Sequence, residues 1–191
     1  MKSTIKEVPF FFFPDMVRAI MHGTKDQIRR AIKGVDMNYR LLSCGIDWAD
    51  EDRIVADFAQ TLKPVTIEKW AKARPGNIIW VRETWSQDVC HLWLPVVEVR
   101  VERLQDISSE DAIAQGIFSH PNPSTGNTEY YHYLKHTWGP SPIHSYQTLW
   151  EKNNGPGSWE ANPWVWVYRW AKLPEYTREA AIAHCSLLTA H

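Results

Sequence analysis

Lys25, Arg29 and Arg30 fall within six positions of one another in the stretch G-T-K-D-Q-I-R-R, residues 23–30. Arginine grips phosphate oxygens with a planar fork and lysine supplies a point charge, so cations gathered this way suit a phosphate or another oxygen-rich ligand. If residues 24–32 form a strand, alternation sends Lys25, Gln27 and Arg29 to one face and Asp26, Ile28 and Arg30 to the other. The ordinary alternative is a solvated strand edge paired with the acidic segment 47–57, D-W-A-D-E-D-R-I-V-A-D, which holds five acids against one Arg. A second group is Arg82 and Glu83, which follow the apolar I-I-W-V and precede Thr84 and Trp85. An ion pair and an aromatic ring at a strand end suit base stacking with hydrogen bonding. An Arg–Glu pair that only orders the strand end fits the same residues. Trp159, in a Gly-rich loop near Asn162, is the candidate stacking platform. Together with Trp164, Trp166 and Trp170 it also fits ordinary core packing.

Other chemistry lacks its motifs. His132 and His136 have i,i+4 spacing, but no H-E-x-x-H accompanies them, so no metal site is expected. Neither a dinucleotide-binding glycine fingerprint nor a phosphate-binding P-loop is present, so no cofactor is expected.

The elements that must position these residues follow from pattern. The 191 residues are the size of one domain, 44% hydrophobic and 23% charged, with eleven Trp. Net charge is −1, so no global field draws the chain to nucleic acid, and any such binding needs a local patch. Residues 1–40 supply one, with eight Lys or Arg against four Asp or Glu. Three widely spaced cysteines without a C-x-x-C suggest a reducing, cytoplasmic setting. No run reaches the ~20 apolar residues of a membrane span, so no membrane partner is expected.

Residues 8–13 read as a short strand and Asp15 as the cap of a helix over 16–22 that Gly23 ends. Residues 34–63 read as loop-rich, with one strand near 54–58. I-I-W-V-R follows a turn as a further strand. V-V-E-V-R-V-E-R-L, residues 96–104, alternates strictly, placing Val97, Val99 and Val101 on one face. S-S-E-D-A-I-A-Q-G, residues 108–116, reads as a capped helix closed by Gly116. Residues 119–145 read as an irregular insertion with at most a short helix, 146–153 as helix and 162–170 as the closing strand.

Three segments together resemble the ASCH domain family of the PUA-like superfamily: M-V-R-A-I-M-H-G-T-K-D-Q-I-R-R (16–30), P-G-N-I-I-W-V-R-E-T-W (75–85) and V-R-V-E-R-L-Q-D-I-S-S-E-D-A-I-A-Q-G-I (99–117). The ending over 149–167 is similar to the long form found in phages and prophages. The resemblance implies an α+β fold, a PUA-like mixed β-barrel with flanking short helices. A single domain would span 1–172, with the insertion at about 119–145 and a C-terminal helical extension over 173–191. It also implies a cleft beside the first helix that binds RNA, single-stranded nucleic acid or a modified nucleoside.

One branch of that family hydrolyses N4-acetylcytidine with a Lys–Thr–Glu set. Its Lys falls on Lys25, the Thr after it on Asp26, its nucleophilic Thr on Ile28 and its acid on Gln115. Ile28 offers no hydroxyl and Gln115 no group that can act as acid or base near neutral pH, so the inherited hydrolysis is broken and only the cation, Lys25, survives as a catalytic candidate. A binding module is therefore expected, with Lys25, Gln27, Arg29 and Arg30 toward the ligand and Arg82, Glu83 and Gln115 shaping the cleft. The rival readings are an amidohydrolase or nuclease, with Asp26 or Glu83 as base, and a phage interaction protein that meets a protein partner through the insertion or the C-terminal helix.

Overall fold

The computed structural model describes residues 5–35, 38–46, 54–61, 66–83 and 92–188. Its fold class is α+β, as expected. A five-stranded mixed sheet runs in the order β1 (Glu7–Phe12), β6 (Ile78–Glu83), β7 (Trp93–Arg103), β11 (Trp164–Trp170), β2 (Gln27–Ala31). β1 pairs parallel with β6 and the other ladders are antiparallel. Its outer strands, β1 and β2, are joined through a side chain: the Arg30 guanidinium donates to the Phe11 carbonyl.

Alternation on β11 decides how the two sides of this sheet fill. Trp166, Tyr168 and Trp170 enter the larger core with Phe10, Phe12, Ile28, Ile79, Val81 and Leu94. Val165 and Val167 enter a second core with Leu104, Ala112, Tyr146, Trp150 and Trp159. Each fully buried aliphatic or aromatic side chain contributes roughly 1.5–3 kcal/mol. The strand over 93–103 departs from strict alternation: a bulge opposite Arg169 and Trp170 pairs Arg169 with Glu98 but Trp170 with Val96. Its extra residue shifts the phase, so Val99 and Val101 pack on the larger core as expected, while Val96 takes the buried place expected for Val97.

Three expectations are corrected. Residues 34–63 hold more strand than expected: the strand expected near 54–58 is β4 (Ile54–Gln60), but β3 (Tyr39–Ile46) forms where loop was expected, and the two join β5 (Thr66–Trp70) in an antiparallel sheet. Ala56 and Phe58 of β4 are completely buried against the larger core, and β3 is held beside them by its ladder to β4, which its weak local pattern does not advertise. The insertion is likewise regular: β8 (Ser119–Pro121), β9 (Thr128–His132) and β10 (Thr137–Gly139) form a second antiparallel sheet, closed by backbone bonds that a polar composition does not advertise. Its His132 and His136 lie at the turn of this hairpin, His136 Nδ1 meeting the Tyr131 hydroxyl at 2.6 Å. No metal-holding cluster of three His, Cys, Asp or Glu occurs among the described residues. The first helix, α1 (Pro14–Met21), begins at Pro14 with no side-chain cap, since proline at the first position already satisfies the geometry that a cap from Asp15 was expected to supply.

The remaining helices are α2 (Ser109–Ala114), α3 (Pro142–Asn154) and α4 (Arg178–Leu188). α4 lies within the expected C-terminal extension and packs on β6 and β7 through Ala181 and Cys185. No helix among the described residues is long and apolar enough to cross a membrane.

Candidate functional site

Gly23, at φ +69°, ends α1 and turns the chain so that the backbone N–H groups of Thr24 and Lys25 both donate to Ala19 O. Lys25 then forms an isolated antiparallel bridge with Gln115, the C-terminal cap of α2. Gly116 makes this contact possible. At φ +76°, a Cβ there would stand 2.8 Å from the Cβ atoms of Ala19 and Lys25. α2 itself is held by Ser108, whose hydroxyl accepts from Asp111 N at 3.1 Å.

Beyond this bridge, β2 runs as an edge strand between α1 and α3. A cavity of about 170 Å³ follows its open edge, lined from Lys25 and from four consecutive β2 residues, Ile28 to Ala31. Consecutive strand residues point to opposite faces, so all four line one hollow only because it lies on the unpaired edge. Phe13 and Met16 wall it from α1. Tyr146, Leu149, Trp150 and Asn153 wall it from α3, at i, i+3, i+4 and i+7 on one helical face. Gln115 completes the floor.

Lys25 is 1% exposed. Its Nζ donates to Gln115 O at 2.8 Å and forms no ion pair among the described residues. An ammonium carries three donors, so two remain for a ligand. Burial, then the nearby Arg30 and Arg29 charges, push its pKa down from the ordinary 10.5 to about 7, with Asp26 opposing. Asp26 itself turns toward Lys172 and Arg169, at 3.7 and 4.0 Å.

The other face of β2 is spent internally, which corrects the expectation for Arg29. Its Nε donates to Glu102 at 3.0 Å, Nη1 to Gln27 Oε1 at 2.7 Å and Nη2 to Asp111 Oδ2 at 2.9 Å, with a further bond from Nη2 to Glu102. The guanidinium is wholly buried, with most of its fork committed to protein acceptors rather than to a phosphate. Gln27 is equally committed, accepting from Arg29 and from Gln115 Nε2 while donating to Asp111 Oδ1 at 2.6 Å. Burial alone would raise the Asp111 carboxyl. The Gln27 hydrogen bond and the Arg100 and Arg29 guanidiniums hold it below the usual carboxylate range. This network braces β2 against β7 and α2, and Arg29 and Gln27 position Lys25 rather than offer themselves.

Arg30 does face the cavity, with its guanidinium also 5.8 Å from the Phe10 ring. The Gln115 side chain points into the Gln27 network, and its backbone oxygen serves Lys25. Arg82 is not brought to this site. It stands exposed on β6, 5.1 Å from the Phe11 ring. Parallel pairing of β1 with β6 sets Arg82 opposite Phe11, outside the lining of the Lys25 cavity. Glu83 closes β6, and its side chain lies outside the described residues. Trp159 is packed at 8% exposure against Tyr146, so it is core and not a stacking platform.

Tyr146 was missed. Its ring lies 5.9 Å from the Arg29 guanidinium, and its hydroxyl makes no hydrogen bond to another described residue. Burial pushes its pKa up, so it is a neutral donor and acceptor at the cavity. The 146–149–150–153 stripe was visible in the expected helix, but such a stripe ordinarily marks core.

The site thus offers the Lys25 ammonium, the Arg30 fork and the Tyr146 phenol, beside the apolar walls of Ile28, Phe13, Leu149 and Trp150. The chemistry of that set suits a planar group carrying acceptor oxygens. No family model, curated protein or solved structure matches the chain, so the ASCH resemblance rests on the quoted segments alone.

Proposed function

We propose that the chain is an ASCH-type, PUA-like module that binds RNA or a modified nucleoside in the cavity along β2, without the Lys–Thr–Glu hydrolysis of the family. One observation carries the reading: Lys25 is buried in the wall of a hollow, shifted to about 7, with a single protein acceptor and no ion-pair partner among the described residues. Burying an ammonium is costly unless something compensates it. A strongly perturbed group in a cleft is the mark of a functional site. The cavity, at about 170 Å³, is smaller than the roughly 300–1,000 Å³ that encloses a drug-sized ligand, so it suits one base or acyl group of a longer molecule.

The lost hydrolysis is consistent with the walls. Ile28 presents hydrocarbon where a nucleophile is needed, and Gln115 presents an amide. A second reading, amidohydrolase, draws support from the Lys25 amine, since a group titrating near 7 is matched to proton transfer at neutral pH. One experiment addresses both: titrate the protein with cytidine, N4-acetylcytidine and a short single-stranded RNA, following Trp fluorescence and product by chromatography. Binding that weakens in Lys25→Met, with no deacetylation, is the expected result. Deacetylation abolished by Lys25→Met would establish the enzyme instead, and no binding of any of the three would refute the binding reading.

A further inference from the structure

A second and larger cavity, about 440 Å³, opens at the seam between β1 and β2 and reaches β5. Its charged lining is uniformly positive: Arg30, Lys33, Lys69 and Lys72, with no carboxylate among the described lining residues. Its floor and walls are aromatic. Trp166 and Tyr168 are buried beneath it, while Phe11 and Trp70 stand half exposed at 51% and 42%. Two of the cations, Arg30 and Lys72, both sit 5.8 Å from the one Phe10 ring.

Arg30 links this cavity to the first, because it lines both. Its guanidinium is fixed in the seam by the bond to the Phe11 carbonyl and still presents further donors. We infer that the seam cavity is a second nucleotide subsite. A phosphodiester meets Arg30 and the lysines, and the base on its far side stacks among Phe11 and Trp70, while the neighbouring base occupies the Lys25 cavity. Stacked aromatics beside a cationic track are how single strands are held without base reading. Half-exposed Phe11 and Trp70 with four cations, and no carboxylate among the described lining residues, fit a phosphate-bearing ring better than a protein helix or a neutral metabolite. The inference rests on the proposed nucleic-acid reading of the Lys25 cavity and adds to it the number of nucleotides held and the path between them.

The test compares cytidine with the dinucleotide cytidylyl-cytidine on the wild type, Lys25→Met and the double variant Lys69→Ala/Lys72→Ala, by calorimetry at two salt concentrations. Lys72 is exposed and Lys69 only half buried, and a circular dichroism melt checks that the double variant keeps its fold. The dinucleotide is expected to bind the wild type about tenfold or more tighter than cytidine, with a steeper salt dependence. The double variant should lose that advantage and keep the cytidine affinity, whereas Lys25→Met should weaken cytidine. A dinucleotide that binds no tighter than cytidine, or whose advantage survives the double variant, overturns the second subsite and leaves the Lys25 reading standing. Binding of neither probe overturns the functional reading and this inference with it.

Discussion

Replacing Lys25 by methionine should make the protein more stable at pH 6, and the gain should shrink as pH rises. The Lys25 pKa is lowered from 10.5 to about 7, by burial first and by Arg30 and Arg29 next. In the unfolded chain the amine holds its proton up to about 10.5, while in the folded chain it releases it near 7. Between these values the unfolded state binds more protons, so raising pH favours folding, and the full cost of burying the charge is felt below 7. A shift of this size corresponds to a cost on the order of 5 kcal/mol at pH 6, falling by about 2–3 kcal/mol by pH 9. Methionine keeps a similar volume and removes the charge, at the loss of one hydrogen bond to Gln115 O worth about 1 kcal/mol. Urea unfolding of both proteins at pH 6, 7, 8 and 9 gives the difference directly, and subtracting the variant removes the other titrating groups, including the buried Cys185 thiol that burial pushes up to about 11. A stability difference that stays flat from pH 6 to 9, or a variant less stable than wild type at pH 6, would refute the buried-cation reasoning.

The same linkage predicts that affinity for an oxygen-rich ligand weakens as pH climbs through 7, approaching about tenfold per pH unit before the bound-state pKa is reached, readable by Trp fluorescence across pH 6–9. Gly116→Ala should cost about 2–4 kcal/mol in urea unfolding, from its left-handed φ and from the 2.8 Å approach to Ala19 and Lys25, and should weaken ligand binding in parallel. Arg29→Met should cost about 3 kcal/mol by removing the buried guanidinium that pairs with both Glu102 and Asp111. Arg82→Ala, which loses a contact with the exposed Phe11, should cost under about 1 kcal/mol and leave cytidine binding in the Lys25 cavity unchanged.

What could be read in advance was whatever is local. The capped helix at Ser108, the closing strand expected over 162–170 and the α+β class follow from caps and from period-two patterning, and the structure contains them, the strand running Trp164–Trp170. Lys25 and Gln115 were paired by resemblance, and they meet as a backbone bridge although 90 residues separate them. What failed was long-range. Arg29 and Lys25 share a strand face in the alternating pattern, yet one is consumed by Glu102 and Asp111 while the other is left with a single carbonyl, because partners 73 and 82 residues away are invisible to periodicity. Arg82 drew attention as a charge at a strand end, but the parallel pairing that carries it away from the site is a property of sheet order. The second sheet hid in 119–145 because short strands rich in Tyr, His and Thr between turn residues resemble a loop until their ladders are counted.

The most direct test of the account is a heteronuclear NMR titration of the Lys25 side-chain nitrogen, with and without a bound nucleoside or short RNA. A pKa near 7 in the free protein that rises when ligand is added is the predicted result. A free value close to 10.5, or one that ligand does not move, would contradict it.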